Sequence, residues 1–192
     1  MVFVPLRWFR GVVMADLRHR TPVSWLVDVD CSVCVLCNRA NHWRAVRMLF
    51  AAVSWLGDGI FWVVLGGLLL AVEGRGALGL AVEMAGVGAV CYVLYALLKR
   101  KTTRERPFVA HPEAIFHTAN PLDQYSFPSG HTMQAVALSI VIVASFPLLA
   151  YVLVPFAVLV ALSRVVVGLH YPSDVLAGVV LGALVGAASV CL

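Results

Sequence analysis

The stretch from Thr132 to Ser163, TMQAVALSIVIVASFPLLAYVLVPFAVLVALS, contains 32 consecutive residues without a charged side chain. A bilayer core of about 30 Å is crossed by roughly 20 apolar residues in a helix. This run is therefore too long for one span. Proline ends or kinks a helix, and Pro147 divides the run near its middle. The stretch predicts two membrane spans joined by a very short turn.

Three further stretches are long and apolar enough to cross a bilayer once each. Residues 48–72 and 76–98 contain one acidic residue each, Asp58 and Glu83, and residues 175–192 contain no charge. The chain is 61% hydrophobic and its mean hydropathy is +0.92. A soluble chain of buried core helices is the alternative, but such a protein keeps more charge on its surface. We predict an all-α, polytopic membrane helical bundle with about five transmembrane spans.

Residues 1–47 precede these spans and differ in composition. The first twenty of them alternate arginines with short apolar pieces and lack the clean apolar core of a secretory signal peptide. We predict an N-terminal amphipathic, interfacial segment over residues 1–47 and a membrane-embedded domain over residues 48–192. Cys31, Cys34 and Cys37 recur every three residues. This spacing leaves two alternatives open, a metal site without a clear fourth ligand or one packed face of a helix.

The charge balance does not favour a nucleic-acid partner. The formal net charge is +4 and the pI is about 9.0, but the basic residues lie beside the predicted spans and form no separate basic domain. Attraction to anionic lipid, or to a substrate that carries phosphate, accounts for them more simply.

Three polar clusters interrupt the apolar background: KRKTTRERP at 99–107, PSGH at 128–131 and SRVVVGLHYPSD at 163–174. Two predicted spans separate the loop of residues 99–128 from the segment of residues 164–174. Both therefore emerge on the same face of the membrane, where their polar residues can converge. Ionisable residues at a membrane boundary are costly unless they are paired or functional, so the clusters predict a site.

The residue types in these clusters suit phosphoryl transfer. Such a reaction depends mainly on positioning and on stabilising the phosphate oxygens, which Lys99, Arg106 and Arg164 can do. Ser129 and Gly130 stand where a span should begin, and a helix N-terminus favours phosphate. A neutral imidazole can attack phosphorus when a carboxylate orients it. The spacing gives that arrangement to His170 and Asp174, and His131 is left as general acid.

The clusters resemble the three-part signature of the type 2 phosphatidate phosphatase superfamily, which includes bacterial undecaprenyl pyrophosphate phosphatases and vanadium haloperoxidases. The resemblance covers about residues 48–192. It implies a helical bundle, a covalent phosphohistidine intermediate and no metal cofactor. By position it makes His170 the nucleophile, Asp174 its orienting partner and His131 the acid. The implied phosphate-binding residues are Lys99, Arg106, Ser129, Gly130 and Arg164.

We therefore expect an integral membrane enzyme that hydrolyses a phosphomonoester or pyrophosphate of a membrane lipid. Residues 106–111, RPFVAH, resemble the same region of bacitracin-resistance undecaprenyl pyrophosphatases, which favours undecaprenyl pyrophosphate. Phosphatidate, phosphatidylglycerophosphate and lipid A phosphate are alternative substrates. A lipid-to-lipid phosphotransferase would carry the same clusters. His111, Glu113, His117 and Asp123 lie in the loop above the site, where they either contact the substrate or are solvated.

The expected location is the bacterial cytoplasmic membrane, but two arguments about sidedness disagree. With five spans, 13 of the 14 lysines and arginines fall on the active-site side and only Arg75 falls opposite. The positive-inside rule therefore places the site in the cytoplasm. The family resemblance implies the periplasmic face, and we expect that face because the short links opposite give the charge rule little to compare.

Overall fold

The computed structural model describes residues 22–116 and 123–192, and within them every regular element is helical. One isolated β-bridge pairs Glu105 with Tyr125. The helices are α1 Pro22–Asn38, α2 Arg44–Leu56, α3 Ile60–Glu73, α4 Leu78–Thr102, α5 Pro107–Ala110, α6 Gly130–Ser145, α7 Ala150–Val166 and α8 Pro172–Cys191. The prediction of an all-α helical bundle is confirmed.

Among the described residues, three segments are long and apolar enough to cross a membrane: Ile60–Thr102, Pro147–Val166 and Pro172–Cys191. The first is a hairpin of α3 and α4, folded at the short turn Gly74–Ala77, so that Gly66 faces the side chain of Met84. The apolar helix Gly130–Ser145 is shorter. The predicted break at Pro147 is confirmed, since a short 3-10 turn at Pro147–Leu149 separates α6 from α7.

The predicted first span, residues 48–72, is wrong at its start. Two helices, α2 and α3, replace the single helix, and Gly57, Asp58 and Gly59 separate them. Gly59 has a φ of 115°, which interrupts a right-handed helix. Asp58 lies in this turn, and its side chain contacts His131 of α6. The first crossing therefore begins at Ile60, and α2 is an additional helix before it.

The closest helix packing joins α6 to α8 along a seam of three glycines four residues apart: Gly178, Gly182 and Gly186. A Cβ atom on Gly182 would lie 2.4 Å from the backbone oxygen of Met133. Small residues at this spacing let helix backbones approach closely in membranes, where helix association depends on such packing. The seam fixes the starts of α6 and α8, which carry the second and third polar clusters, beside each other.

The apolar core lies between α3, α4, α6 and α7. Met133 and Ile142 of α6 are fully buried in it, and Phe61 of α3 stacks on Phe156 of α7 at 3.9 Å between ring centroids. The outer surface is also apolar, which suits contact with lipid tails; its large exposed side chains include Val63, Val82, Tyr151, Leu176 and Leu184.

Helix α1 packs against α7 and α8, so this part of the N-terminal segment belongs to the bundle. Cys31 and Cys34 are buried in a cluster with Ile115 and Tyr171, and all three cysteines of the repeat are free thiols. Over residues 22–116 and 123–192, no group of three or more metal-ligating side chains is present. The burial of Cys31 and Cys34 against Ile115 and Tyr171 fits the packed helix face. For residues 1–21 the predicted interfacial segment lies outside the described residues.

Replacement of Gly182 by alanine tests the α6–α8 seam. The added Cβ meets the backbone of Met133, so the helices must separate, and we expect a loss of roughly 1–3 kcal/mol of stability. Thermal unfolding in detergent, followed by intrinsic fluorescence, measures it. Gly86→Ala in α4 is the matched control, because its Cβ meets no atom within 4 Å and alanine is the better helix former. Equal unfolding midpoints for the two variants would contradict the seam.

Candidate active site

The second polar cluster forms the start of α6. Ser129 is its N-cap residue and is fully buried. The Ser129 backbone N–H donates to the carbonyl oxygen of Asp174 at 3.1 Å, which joins the second cluster to the third. Gly130 follows, and a Cβ there would lie 2.7 Å from the ring of Tyr95. A glycine is therefore required where α6 begins, next to the helix end that attracts anions.

The third cluster begins at the end of α7, where Arg164 is only 4% exposed. Its Nη1 atom donates to the hydroxyl of Ser54 on α2, and its Nε atom has no hydrogen-bond partner among residues 22–116 and 123–192. A buried donor is stabilised by an acceptor, and an oxygen of a bound phosphate would supply one to this nitrogen. The chain then turns through Gly168, whose φ is 82°, and Asn38 and Asn41 of the N-terminal region donate to the carbonyl oxygen of Val166.

His170 lies in the loop between α7 and α8 and is 2% exposed. Its Nε2 atom lies 3.5 Å from Nη1 of Arg106, and its Nδ1 atom lies 3.8 Å from Oδ2 of Asp174. Burial, reinforced by the positive charges of Arg164 and Arg106, lowers the pKa of His170 well below its ordinary value. The imidazole is therefore neutral at neutral pH, and a neutral imidazole is the nucleophilic form.

Asp174 has more partners than the sequence predicts. It occupies the third position of α8, where its Oδ2 accepts the backbone N–H of Tyr171 at 2.9 Å. Its Oδ1 accepts from Nη1 of Arg104 at 2.7 Å. The distance to His170 Nδ1 is about 1 Å longer than a hydrogen bond. Asp174 therefore caps α8 and pairs with Arg104, and its hydrogen bond to His170 is not formed in this structure.

Arg104 is a residue that the sequence analysis missed. Its Nη2 atom donates to Asp30 of α1 at 2.6 Å, and its guanidinium lies over the ring of Tyr171 at 4.0 Å. Asp30 also accepts the backbone N–H of Ser173 at 2.8 Å. The chain thus connects α1, the first polar cluster and the start of α8 through one network of hydrogen bonds, in which Asp30 and Asp174 are buried. Arg104 lies inside the first cluster, but its role depends on Asp30, which is 74 residues away in sequence.

The first cluster supplies two cations that meet on one carboxylate. Arg106 donates from Nη2 to Oδ1 of Asp123 at 2.7 Å and from Nη1 to the carbonyl oxygen of Leu169 at 3.0 Å. Lys99 donates to the same Asp123 oxygen, and the hydroxyl of Tyr95 donates to the other. Burial opposes ionisation of Asp123, but these hydrogen bonds and the charge of Arg106 outweigh it and lower its pKa to about 2. An anionic carboxylate thus lies among these cations, and lysine and arginine are also the side chains that proteins use to bind phosphate.

His131, in the first turn of α6, contacts Asp58 through Nε2 and Oδ1. The hydrogen bond from His131 lowers the pKa of Asp58 below its ordinary value. Sequence reasoning noted Asp58 only as the single charge of an expected span and assigned it no role. The sequence does contain a feature that points to Asp58: an acidic residue inside an apolar stretch is by default a candidate for a functional site.

The structure brings most of the predicted site residues to one end of the bundle. Asp123 joins Lys99 to Arg106, Arg106 reaches His170, and Ser129 bonds to Asp174. Arg164 and His131 are held from the same side by Ser54 and Asp58. Buried cations, a neutral imidazole and a second histidine together can bind a phosphate and attack it. Of the loop histidines, His117 lies outside the described residues.

More than half of the chain matches one known protein family. Residues 76–192 match the PAP2 superfamily. The chain belongs to the PAP2 superfamily. Among PAP2 relatives, it is 43% identical over 106 residues to the decaprenylphosphoryl-5-phosphoribose phosphatase of Mycobacterium tuberculosis, covering 54% of this chain and 56% of that protein. The chain thus matches only a little over half the length of that relative.

Two further PAP2 comparisons cover more of the chain. An undecaprenyl-diphosphatase of Sulfolobus acidocaldarius is 32% identical over 151 residues, which are 78% of this chain and 72% of that protein. The crystal structure of a transmembrane PAP2-type phosphatidylglycerolphosphate phosphatase from Bacillus subtilis superposes with a TM-score of 0.67 at 24% identity, covering 96% of this chain and 91% of that one. The chain therefore has the fold of transmembrane PAP2 proteins and is a multi-pass membrane protein.

Asp123→Asn tests whether the carboxylate occupies the position of a bound phosphate. With a pKa of about 2, Asp123 is ionised throughout the usual pH range and competes with any anion. We expect the neutral variant to bind orthovanadate more tightly, on the order of tenfold, because a like charge is removed from the pocket. Isothermal titration in detergent measures the binding.

Glu113→Gln is the matched control for this measurement, since Glu113 is an exposed acidic residue of the same loop and should leave vanadate binding unchanged. Weaker vanadate binding by Asp123→Asn would show instead that the carboxylate is needed to orient Lys99 and Arg106.

Proposed function

We propose that this protein is a metal-independent lipid phosphatase that removes the terminal phosphate of a polyprenyl-linked lipid through a phosphohistidine at His170. The observation that carries the proposal is the position of His170 Nε2, 3.5 Å from Arg106 Nη1 in a buried pocket of cations. A neutral nucleophile next to donors for phosphate oxygens is the arrangement that phosphoryl transfer to an enzyme side chain requires.

In the first step, His170 Nε2 attacks phosphorus and forms a P–N bond. The bond from phosphorus to the leaving oxygen breaks, and that oxygen takes a proton from His131. Lys99, Arg106, Arg164 and the backbone N–H groups in the first turn of α6, which begins at Gly130, stabilise the phosphate oxygens. Asp174, 3.8 Å from His170 Nδ1, stabilises the charge that develops on the ring once the gap closes.

In the second step, water attacks the phosphohistidine. His131 accepts a proton from the water, the P–N electron pair returns to His170, and phosphate leaves. A lipid acceptor in place of water would make the protein a phosphotransferase. The buried cations supply the charge neutralisation that a divalent metal supplies in other phosphatases, which is why the proposal includes no metal cofactor.

The substrate class is proposed from the relatives. Two proteins with similar sequences are named for polyprenyl substrates, the mycobacterial decaprenylphosphoryl-5-phosphoribose phosphatase and the archaeal undecaprenyl-diphosphatase. We propose undecaprenyl pyrophosphate first, as residues 106–111 also suggest. Decaprenylphosphoryl-5-phosphoribose is the second candidate, favoured by 43% identity over 106 residues. A site on the periplasmic face of a bacterial membrane suits the recycling of a polyprenyl carrier.

Phosphate release from a panel of lipids tests the proposed function. The panel consists of undecaprenyl pyrophosphate, decaprenylphosphoryl-5-phosphoribose, phosphatidate, phosphatidylglycerophosphate and lipid A, each presented to purified protein in detergent with excess EDTA. We expect the highest kcat/KM on a polyprenyl lipid and no dependence on magnesium. Fastest turnover of phosphatidate or phosphatidylglycerophosphate would reject the substrate class. Activity that appears only on addition of magnesium would reject the mechanism.

His170→Ala tests the nucleophile. Without the imidazole no P–N bond can form, so we expect kcat on the best panel lipid to fall by about 10⁴-fold or more. His42→Ala is the matched control, because His42 is an exposed histidine outside the site and its loss should leave turnover at the wild-type level. Wild-type turnover by folded His170→Ala protein would show that another group attacks phosphorus.

A further inference from the structure

A short turn between α2 and α3 places a carboxylate against one of the two site histidines. Asp58 stands between Gly57 and Gly59, and its Oδ1 atom contacts Nε2 of His131. The two residues are 73 positions apart in sequence, and Asp58 belongs to none of the three polar clusters. The contact is therefore produced by the fold.

The turn is held in place by the helix that precedes it. Ser54, one helical turn before Asp58, accepts a hydrogen bond from the guanidinium of Arg164. A Cβ on Gly57 would lie 3.2 Å from the side chain of Val160, so the end of α2 lies directly against α7. The end of α2 and the turn that follows it thus contact both Arg164 and His131.

The contact decides which nitrogen of His131 is available for chemistry. Nε2 faces Asp58, so Nδ1 is left for the leaving oxygen of a substrate. The charged groups that act on His131 are Arg164, Asp58 and Lys99. Two of these are cations and disfavour a protonated ring, whereas the carboxylate favours it. A general acid must carry its proton before the reaction starts, and Asp58 is the only one of the three that supports this.

We propose that Asp58 is the positioning residue of the general acid: it orients the His131 ring and stabilises its protonated form. The proposal rests on the proposed function, because it assigns Asp58 a part in the reaction given there. As His170 Nε2 bonds to phosphorus, the bond to the leaving oxygen breaks and the proton on His131 Nδ1 moves to that oxygen. His131 regains a proton from the attacking water in the second step, and Asp58 stays ionised throughout.

Steady-state kinetics of Asp58→Asn on the panel lipid that wild-type protein hydrolyses fastest tests this role. Asparagine keeps the size of the side chain but removes the charge. We expect kcat to fall roughly 10- to 100-fold, with KM within about threefold of wild type because Asp58 touches the acid and not the phosphate pocket. Asp58→Glu, which restores the carboxylate, should recover part of kcat. Glu73→Gln, an exposed acidic residue at the end of α3, should match wild type.

A double-mutant cycle separates positioning of the acid from a purely structural role. In a His131→Ala background, Asp58→Asn should cost no more than about twofold, because the group through which it acts is already gone. A structural role would reduce activity equally in both backgrounds, and that result would overturn the proposal. So would wild-type kcat in Asp58→Asn alone. If wild-type protein releases phosphate from no panel lipid, the proposed function itself fails, which is a distinct outcome.

Discussion

Burial of positive charge at the end of a membrane helix bundle is the constraint on which the rest of the structure depends. Lys99, Arg106 and Arg164 are 6%, 2% and 4% exposed. Removing such groups from water costs several kcal/mol each unless they are paired. Asp123 pairs with Lys99 and Arg106, and Ser54 contacts Arg164. Within the described part of the chain Arg164 Nε has no acceptor, and we propose that a bound phosphate supplies one.

Some of the helices that hold the buried cations in place precede the region that matches the family. The PAP2 match begins at residue 76, yet Asp30 of α1 anchors Arg104 and Ser173. Ser54, near the end of α2, contacts Arg164, and Asp58, in the turn that follows α2, contacts His131. The family region thus supplies the groups that are proposed to act on phosphate. The preceding helices supply several of the counter-charges and contacts that fix those groups in place.

The sequence predicted the parts of this arrangement that depend on local pattern. Apolar run lengths, Pro147 and the spacing of the polar clusters were enough to give the bundle and the convergence of Arg106 with His170. The contacts of Asp30, Asp58 and Asp123 were not predicted, because each joins residues far apart in sequence or across a loop. Residues 48–72 are long and apolar enough for one span. Their length and composition therefore do not show that the helix is interrupted at Gly59. The Asp174–His170 spacing suggested a hydrogen bond, but capping of α8 and Arg104 occupy that carboxylate instead.

We propose above that the buried cations hold a phosphate for attack by His170. Trapping the covalent intermediate tests it most directly. The protein is mixed with its best lipid substrate, quenched in alkali within the first turnover, digested and analysed by mass spectrometry. We expect an alkali-stable, acid-labile phosphate on the peptide that contains His170. A phosphate on any other residue, or turnover without a covalent phosphate on the protein, would contradict it.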